Sequence, residues 1–174
     1  FKNILQASQF EESHQVVMLS WERGTVPARP AKTSQGSIRP MNLDDLDAVE
    51  AVDAASFVPE WQNSKDCLEM AFEQAAVATV YEVNGIIAGY QISTSTPMGG
   101  HLARLAVHPD HQREGIGYTL VRDMLSQFER RGAQRVTVNT QQDNRTSLSL
   151  YRKAGFRMTG ESYPVFHHEL NPRS

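Results

Sequence analysis

Two hydrophobic periods alternate along the second half of the chain and predict alternating strands and helices. Residues 102–107 and 135–140 form short apolar runs typical of strands. Between them, apolar residues recur every fourth position and predict an amphipathic helix that ends at Gly132: Ile116, Leu120, Met124 and Phe128. Asn144 then opens a shorter predicted helix, which stops at Ala154-Gly155-Phe156.

The preceding region predicts two helices and a hairpin. Asn42 is a typical helix cap, and the helix after it carries apolar residues on one side: Leu46, Val49 and Val52. Residues 65–76 predict a second helix. The runs 77–83 and 86–94 flank Asn84-Gly85, a dipeptide that favours a two-residue hairpin turn.

The stretch Gln112-Arg113-Glu114-Gly115-Ile116-Gly117, between predicted strand and predicted helix, is typical of a phosphate-binding loop. Its two glycines let an anion approach main-chain N–H groups at the positive end of a helix dipole. The Walker form is excluded because no Gly-Lys-Ser/Thr follows, and the dinucleotide form because a third glycine and a later acidic residue are absent. A pair of ordinary turn glycines is the structural alternative.

A second motif at a fixed distance accompanies this loop. Asn144, Leu150-Tyr151 and Gly155-Phe156 follow the Gln112-x-x-Gly115-x-Gly117 pattern, and together they resemble the two signatures of the GNAT superfamily of acyl-CoA-dependent N-acyltransferases. The resemblance covers residues 101–156 and is greatest to the ribosomal-protein and small-amine branches. It implies an α/β (α+β) fold: a mixed, mostly antiparallel central sheet flanked by helices, with acetyl-CoA in a cleft between two splayed strands.

The resemblance also implies a reaction, direct transfer of an acetyl group from acetyl-CoA to a primary amine, and a set of site residues. The implied cofactor-binding residues are Leu105, Ala106, Val107, Gln112, Arg113, Glu114, Gly115, Ile116, Gly117, Tyr118 and Asn144. In this scheme the strand residues pair with the pantetheine arm, the loop amides bind the pyrophosphate, and Tyr151 gives a proton to the departing sulfur. The residues alone leave two alternatives open, Asn144 as a helix cap and Tyr151 as a core residue.

The general base is where this sequence departs from the family pattern. A glutamate of the ribosomal-protein branch falls on Asn139, whose amide cannot accept a catalytic proton. A glutamate of the histone-modifying branch falls on His101, whose neutral imidazole can act as a base. A surface histidine is the alternative, with Glu82 and water as other bases. The departure leaves a second function open, an acyl-CoA-binding sensor or structural module with little or no activity.

The first 37 residues predict a different origin from the rest. Residues 1–22 repeat the order helix end, phenylalanine, strand found near residues 153–166, so we interpret them as the tail (helix plus strand) of a preceding GNAT-like domain; a short amphipathic extension is the alternative. Residues 23–37, with Pro27 and Pro30, predict a linker, and residues 38–174 the acetyltransferase domain. A first residue other than methionine indicates a piece of a longer protein.

The charge and composition of the chain indicate which kinds of partner, compartment and metal site to expect. A formal charge of −3 and a pI near 6.1 predict no attraction to nucleic acid, and the absence of a long apolar run predicts no membrane span. A single cysteine, Cys67, favours a reducing compartment, and we expect a cytoplasmic protein. His108, His111 and the pair at 167–168 lack a coherent third ligand, so no metal site is predicted. Arginines near the loop would suit CoA phosphates: Arg104, Arg113, Arg122, Arg130, Arg131 and Arg135.

The acceptor is left open by the sequence. A small-molecule amine and a protein or peptide amine both fit the implied reaction. Phe57, Pro59 and Trp61 fall where relatives line the acceptor pocket. Three residues of the last strands are further candidates to line it: Tyr163, Phe166 and His167. A homodimer, or pairing within one chain with a preceding domain, is also expected because C-terminal strands of this superfamily often pair between units.

Overall fold

A computed structural model describes residues 10–24 and 36–167 of the chain. Within these residues the strands are β1 (Glu11–Glu22), β2 (Gly36–Pro40), β3 (Val77–Val83), β4 (Ile86–Thr96), β5 (Gly99–Val107), β6 (Arg135–Gln141) and β7 (Arg157–His167). The α-helices are α1 (Leu46–Ser56), α2 (Lys65–Glu73), α3 (Ile116–Arg130) and α4 (Arg145–Lys153). Short 3₁₀ turns occur at Leu43–Asp45, Pro59–Trp61 and Pro109–His111.

The strands form one sheet in the order β2-β3-β4-β5-β6-β1-β7. Neighbouring strands are antiparallel except β5 and β6, which are parallel. One core cluster joins α1 and α2 to one face of the sheet, and two others join α3 and α4 to the opposite face. The predicted fold, a mixed and mostly antiparallel sheet flanked by helices, is therefore confirmed.

The hairpin predicted at Asn84-Gly85 is present. Both residues have positive φ angles, 51° and 81°, and Val83 pairs with Ile86 across a two-residue turn. The turn between β4 and β5 is short, because Gly99 and Gly100 already belong to β5. A side chain at Gly100 would place its Cβ 2.4 Å from the Phe128 ring, so this glycine serves close packing of α3 on the strand.

The strand predicted within the N-terminal segment lies inside the sheet. β1 pairs with β6 on one side and with β7 on the other, and the side chains of Leu19 and Trp21 are 0% exposed. Residues 11–22 are therefore part of the same sheet as the residues from 36 onwards. Their origin in a preceding domain stays a prediction, and the predicted helix before them lies outside the described residues.

The predicted linker ends earlier than residue 37. Gly36 and Ser37 pair with Val83 and Glu82 as the first residues of β2, while residues 25–35 lie outside the described part. A Cβ at Gly36 would lie 2.5 Å from the Glu82 carbonyl oxygen, so this glycine permits close approach of two backbones. The first two residues of β2 are small residues typical of a linker, so the sequence pattern did not indicate that the strand begins there.

Candidate active site

β5 and β6 run side by side at their beginnings and then part. Their register runs from Gly99 opposite Arg135 to Leu102 opposite Val138. Beyond these pairs, β5 continues to its end against β4, and β6 continues to its end against β1. The two strands therefore bound a wedge-shaped cleft, and α3 and α4 each begin shortly after one of them.

A β-bulge lies at the point where the strands part. Ile92 of β4 pairs with Arg104, but the next residue, Ser93, pairs with Leu102, which leaves Ala103 as the extra residue of β5. The bulge resets the alternation of side chains, so Leu102 packs with α3 while Arg104 contacts α1. Bulges often occur beside active sites. No glycine or proline at Ala103 signals this one in the sequence.

The glycine-rich loop forms an open helix start. Arg113 and Gly115 have positive φ angles, 65° and 83°, and turn the chain into α3. Gly115 is the N-cap residue of this helix and has no side chain to cap it, so the helix begins without a capping side chain. Gln112 Nε2 donates to the carbonyl oxygen of Val107 at 3.1 Å and ties the loop to the end of β5. Glu114, like Gln112 and Arg113, is exposed.

The remaining predicted cofactor residues of this region are mostly part of the core. The side chains of Ile116 and Tyr118 are 1% and 7% exposed, so they are not available to a ligand. Leu105 and Val107 pack beside Ile116 on the α3 face, and Ala106 packs on the α1 face. Towards β6, residues 105–107 have no strand partner among the described residues. This strand edge can pair with an extended ligand.

Tyr151 lies on the α3 and α4 side of the cleft. It is 5% exposed and belongs to the same core cluster as Leu102 and Val138, the last paired residues before the cleft. Its ring centroid is 5.7 Å from that of Phe156. Burial raises the pKa of the Tyr151 hydroxyl, so it stays protonated at neutral pH. The Tyr151 hydroxyl has no hydrogen-bond partner among residues 10–24 and 36–167.

His101 lies on the opposite face of the sheet. Its neighbour Leu102 packs with α3, and alternate residues of a strand point to opposite faces. The His101 Nδ1 atom is 2.9 Å from Thr137 Oγ1 on β6. Burial lowers the pKa of His101, so the imidazole is neutral at pH 7. A neutral histidine and a protonated tyrosine thus lie on opposite faces of the sheet, beside the strands that bound the cleft.

Asn144 and Asn139 differ in their surroundings. Asn144 Oδ1 accepts the Ser147 N–H at 3.0 Å, so the residue caps α4; its Nδ2 group donates to no described residue. Asn139 is the first residue of β6 beyond the Leu102–Val138 pair and is exposed.

Glu82, the alternative base, lies on β3, two strands from β5, where its Oε2 atom is 2.7 Å from Arg39 Nε. It is therefore poorly placed to act as a base at the cleft.

A buried ion pair lies on the face that carries His101. Arg104 Nε and Nη2 donate to the carboxylate of Asp53, whose side chain is 0% exposed. Tyr90 Oη donates to the same carboxylate, and burial raises the pKa of this hydroxyl. The prediction that Arg104 contributes positive charge at the cofactor end is therefore wrong, because Asp53 neutralises it. Arg130 and Arg131 lie at the far end of α3 from the glycine-rich loop.

The predicted acceptor-lining residues fall in two groups. Phe57 precedes the 3₁₀ turn at residues 59–61, Trp61 is its last residue, and the Trp61 ring lies 5.9 Å from the ring of His14 on β1. Tyr163 and Phe166 lie on β7, opposite Val16 and Glu12 of β1. His14 of β1 thus lies beside Trp61 of the first group. The second group lies on β7, which is paired with β1. Sequence reasoning did not include His14, because it lies in the segment interpreted as a tail.

The described part of the chain contains neither a cluster suited to a metal ion nor a membrane-spanning helix. No group of three or more His, Cys, Asp or Glu side chains there is arranged to hold a metal ion. No helix there is both long enough and apolar enough to cross a membrane.

Parallel strands that part beside an open helix start, within a mixed sheet covered on both faces, define the fold class of the CoA-dependent N-acyltransferases. Residues 43–168 match the family model described as "Acetyltransferase (GNAT) domain". The chain therefore belongs to the GNAT acetyltransferase family, whose members transfer acetyl groups to amines.

Individual relatives extend this comparison. A Bacillus subtilis (strain 168) protein, provisionally named as a [ribosomal protein bS18]-alanine N-acetyltransferase, is 25% identical over 127 residues, which are 73% of this chain and 84% of that protein. The structure of a GCN5-related N-acetyltransferase from Sphaerobacter thermophilus has a TM-score of 0.78 and 16% identity. It covers 95% of this chain, which spans about half (54%) of that protein.

A second structure was determined with coenzyme A. The PaiA N-acetyltransferase from Thermoplasma acidophilum in complex with coenzyme A has a TM-score of 0.63 and 16% identity, over 76% of this chain and 100% of that one. At such identities the two structural matches show a shared fold.

Proposed function

We propose that this chain transfers the acetyl group of acetyl-CoA to a primary amine by direct attack. One observation carries the proposal: a buried tyrosine whose hydroxyl has no described partner and a neutral histidine lie on opposite faces of the sheet beside the two parting strands. Direct transfer needs a base on the side from which the amine arrives and a proton donor on the side where the thiolate leaves. Tyr151 and His101 supply these two groups.

The residues around the cleft fit acetyl-CoA. The glycine-capped start of α3, at the positive end of its helix dipole, suits the pyrophosphate, and the edge of residues 105–107 that faces β6 suits the amide-bearing pantetheine arm. Asn144 retains its Nδ2 group as a donor. When bound, acetyl-CoA supplies the acetyl group and a thiolate leaving group. The coenzyme A complex of a protein with the same fold supports this assignment.

Proton transfers follow from the two side chains. We assign the Nδ1–H of His101 as donor to Thr137 Oγ1, which leaves Nε2 to accept the proton of the attacking amine. Tyr151 donates its proton to the leaving sulfur, because its raised pKa keeps it protonated. The bulge residue Ala103 has no partner in either strand register, so its N–H can stabilise negative charge on the acyl oxygen.

The weak base favours an α-amino group as acceptor. An α-amino group has a pKa of about 7.7–8.0, so roughly a tenth of it is already neutral at pH 7, whereas a lysine amine of pKa about 10.4 is almost fully protonated. His101, whose pKa is lowered, is suited to the first kind of amine. The relative named for acetylation of a ribosomal-protein alanine supports the same choice. The acceptor is then the N-terminus of a peptide or protein.

Release of CoA thiol tests the proposed function. Two peptides of one sequence would be compared, one with a free N-terminus and lysines blocked, the other with a blocked N-terminus and lysines free. We expect kcat/KM to be at least about tenfold higher for the free N-terminus, since its amine is neutral far more often. Equal rates would contradict the assignment of the α-amine. A small diamine run in parallel shows whether a small-molecule amine is preferred.

A binding module without catalysis is the second candidate. It is favoured by Asn139, which stands where the ribosomal-protein branch resembled by this sequence has a glutamate, at the exposed edge of the cleft. Calorimetric binding of acetyl-CoA with no thiol release from any amine would establish this candidate and refute the first.

The pH dependence of the rate tests His101. In the wild type, kcat/KM should fall on the acid side of the α-amine pKa and fall more steeply below the pKa of His101, which lies under 6.5. In His101→Gln the steeper part should disappear, because glutamine does not titrate, and the rate at pH 7 should fall about 10²-fold. An unchanged profile would exclude His101 as the base, whatever the change in rate.

A further inference from the structure

Arg104 connects β5 to the segment that is predicted to line the acceptor pocket. Its Nε and Nη2 atoms lie 2.7 and 2.8 Å from the Asp53 carboxylate of α1. Nη2 also donates to the main-chain oxygen of Trp61 at 2.6 Å, and the guanidinium lies 3.7 Å from the centroid of the Phe57 ring. One side chain therefore contacts both ends of the segment 57–61 and the helix before it.

Asp53 extends the same connection. Its Oδ1 atom accepts the backbone N–H of Asn63 at 2.8 Å, and its Oδ2 atom accepts the hydroxyl of Tyr90 on β4. The segment 57–63 contains a 3₁₀ turn and no strand, so it has no ladder of its own to fix it against the sheet. The Arg104–Asp53 pair attaches the segment to the sheet: Arg104 contacts Phe57 and Trp61, and Asp53 accepts the N–H of Asn63.

The position of Arg104 on β5 places this attachment next to the strand edge proposed to bind the pantetheine arm. Arg104 follows the bulge at Ala103 and precedes residues 105–107, the edge proposed to pair with the pantetheine arm. It lies on the α1 face, the face of His101. Arg104 Nε and Nη2 donate to Asp53 and Trp61, and the opposite charges of Arg104 and Asp53 make the pair neutral as a unit. It holds the segment in place and leaves aromatic surface, rather than charge, towards an acceptor.

We infer that Arg104 is a positioning residue for the amine acceptor, which fixes Phe57 and Trp61 as a wall at a set distance from the cofactor strand. This inference rests on the proposed function for its reaction, while the attachment itself is a property of the fold. The wall would bind the apolar or aromatic part of the acceptor that follows the amine. Loss of the attachment should therefore weaken acceptor binding and leave acetyl-CoA binding nearly unchanged.

The test compares Arg104→Lys with a matched control. Lysine keeps the charge but cannot donate to Asp53 and Trp61 in the forked geometry of arginine. The control is Lys65→Met, which removes an exposed ion pair with Asp47 between α1 and α2, whose side chains are 45% and 80% exposed. In Arg104→Lys we expect the KM for the amine to rise about tenfold and the KM for acetyl-CoA to change less than about twofold. Lys65→Met should change neither.

Acrylamide quenching of tryptophan fluorescence gives a second readout that needs no turnover. Trp21 is 0% exposed and inaccessible to the quencher, so accessible emission reports on Trp61, which is half-buried. The quenching constant should rise about twofold in Arg104→Lys, because Trp61 loses a tether, and should stay constant in Lys65→Met. Unchanged quenching in Arg104→Lys would overturn the attachment.

The remaining outcomes separate this inference from the proposed function. Equal rises in both KM values, or increased quenching with an unchanged amine KM, would overturn the positioning role. If Arg104→Lys does not fold, the double variant Asp53→Asn, Arg104→Gln replaces it, since removing both charges leaves no unpaired buried ion; the same results decide. A wild-type protein that releases no thiol with any amine would refute the proposed function, while quenching would still decide the attachment.

Discussion

Trp21→Ala is expected to lower the free energy of unfolding by about 3–5 kcal/mol, the usual cost of truncating a fully buried tryptophan. Trp21 of β1 lies opposite Val136 of β6, and its side chain is 0% exposed. It belongs to the core cluster that contains Met124 and Leu125 of α3. Its indole Nε1 has no hydrogen-bond partner among the described residues, so the loss comes from packing. Urea unfolding followed by circular dichroism measures it.

The control for this prediction is Ile86→Ala at the hairpin, where the side chain is 67% exposed. We expect a change within about 0.5 kcal/mol there, since an exposed side chain loses little packing. A loss below about 1 kcal/mol in Trp21→Ala would contradict the position of β1 in the sheet. That outcome would favour an N-terminal segment that folds apart from the acetyltransferase domain.

Tyr151→Phe should lower kcat about 10²-fold and leave the stability and the affinity for acetyl-CoA nearly unchanged. A general acid contributes about 10² to 10⁴ in rate, and a thiolate, with a thiol pKa of about 8.5, leaves readily enough to place the effect at the lower end. Phenylalanine keeps the ring in its contact with Phe156. The hydroxyl has no described partner to lose, so packing is preserved. Steady-state kinetics and calorimetry with acetyl-CoA measure the two quantities.

The raised pKa of Tyr151 adds a second expectation. Because burial raises this pKa above its usual value near 10, the tyrosine stays protonated, and wild-type kcat should show no alkaline loss up to about pH 10. An alkaline limb near pH 9 that vanishes in Tyr151→Phe would show an exposed, easily ionised hydroxyl instead. An unchanged kcat in Tyr151→Phe would remove Tyr151 from the mechanism.

Local signals in the sequence predicted most of the secondary structure correctly. The hairpin at Asn84-Gly85 follows from two adjacent positive φ angles, which asparagine and glycine tolerate best. The helix from Ile116 follows from the period of its buried residues, and Gly132, with φ 82°, lies just past its end. Such features depend on a few neighbouring residues, so a sequence pattern reveals them.

Contacts between distant residues were not predictable in this way. Arg104 and Asp53 are 51 positions apart, and nothing in either local pattern distinguishes a buried ion pair from two surface charges. The bulge at Ala103 arises from the register of β4 against β5 and leaves no composition signal. β1 was recognised as a strand, but its partners are chosen by the whole sheet. The roles of Tyr151 and His101 stay predictions, whereas their opposite faces became visible only in the structure.

The order of the strands also sets an order of events during synthesis on the ribosome. β1 pairs with β6 and β7 alone, and the hydrogen bond from Thr159 Oγ1 to the Met18 carbonyl joins residues 141 positions apart. The apolar side of β1 must therefore wait while the rest of the sheet emerges, and pairings of such long range form slowly. During that interval the exposed strand is a target for chaperones and for aggregation. Nascent chains stalled before β6 should accordingly bind chaperone more than chains stalled after β7.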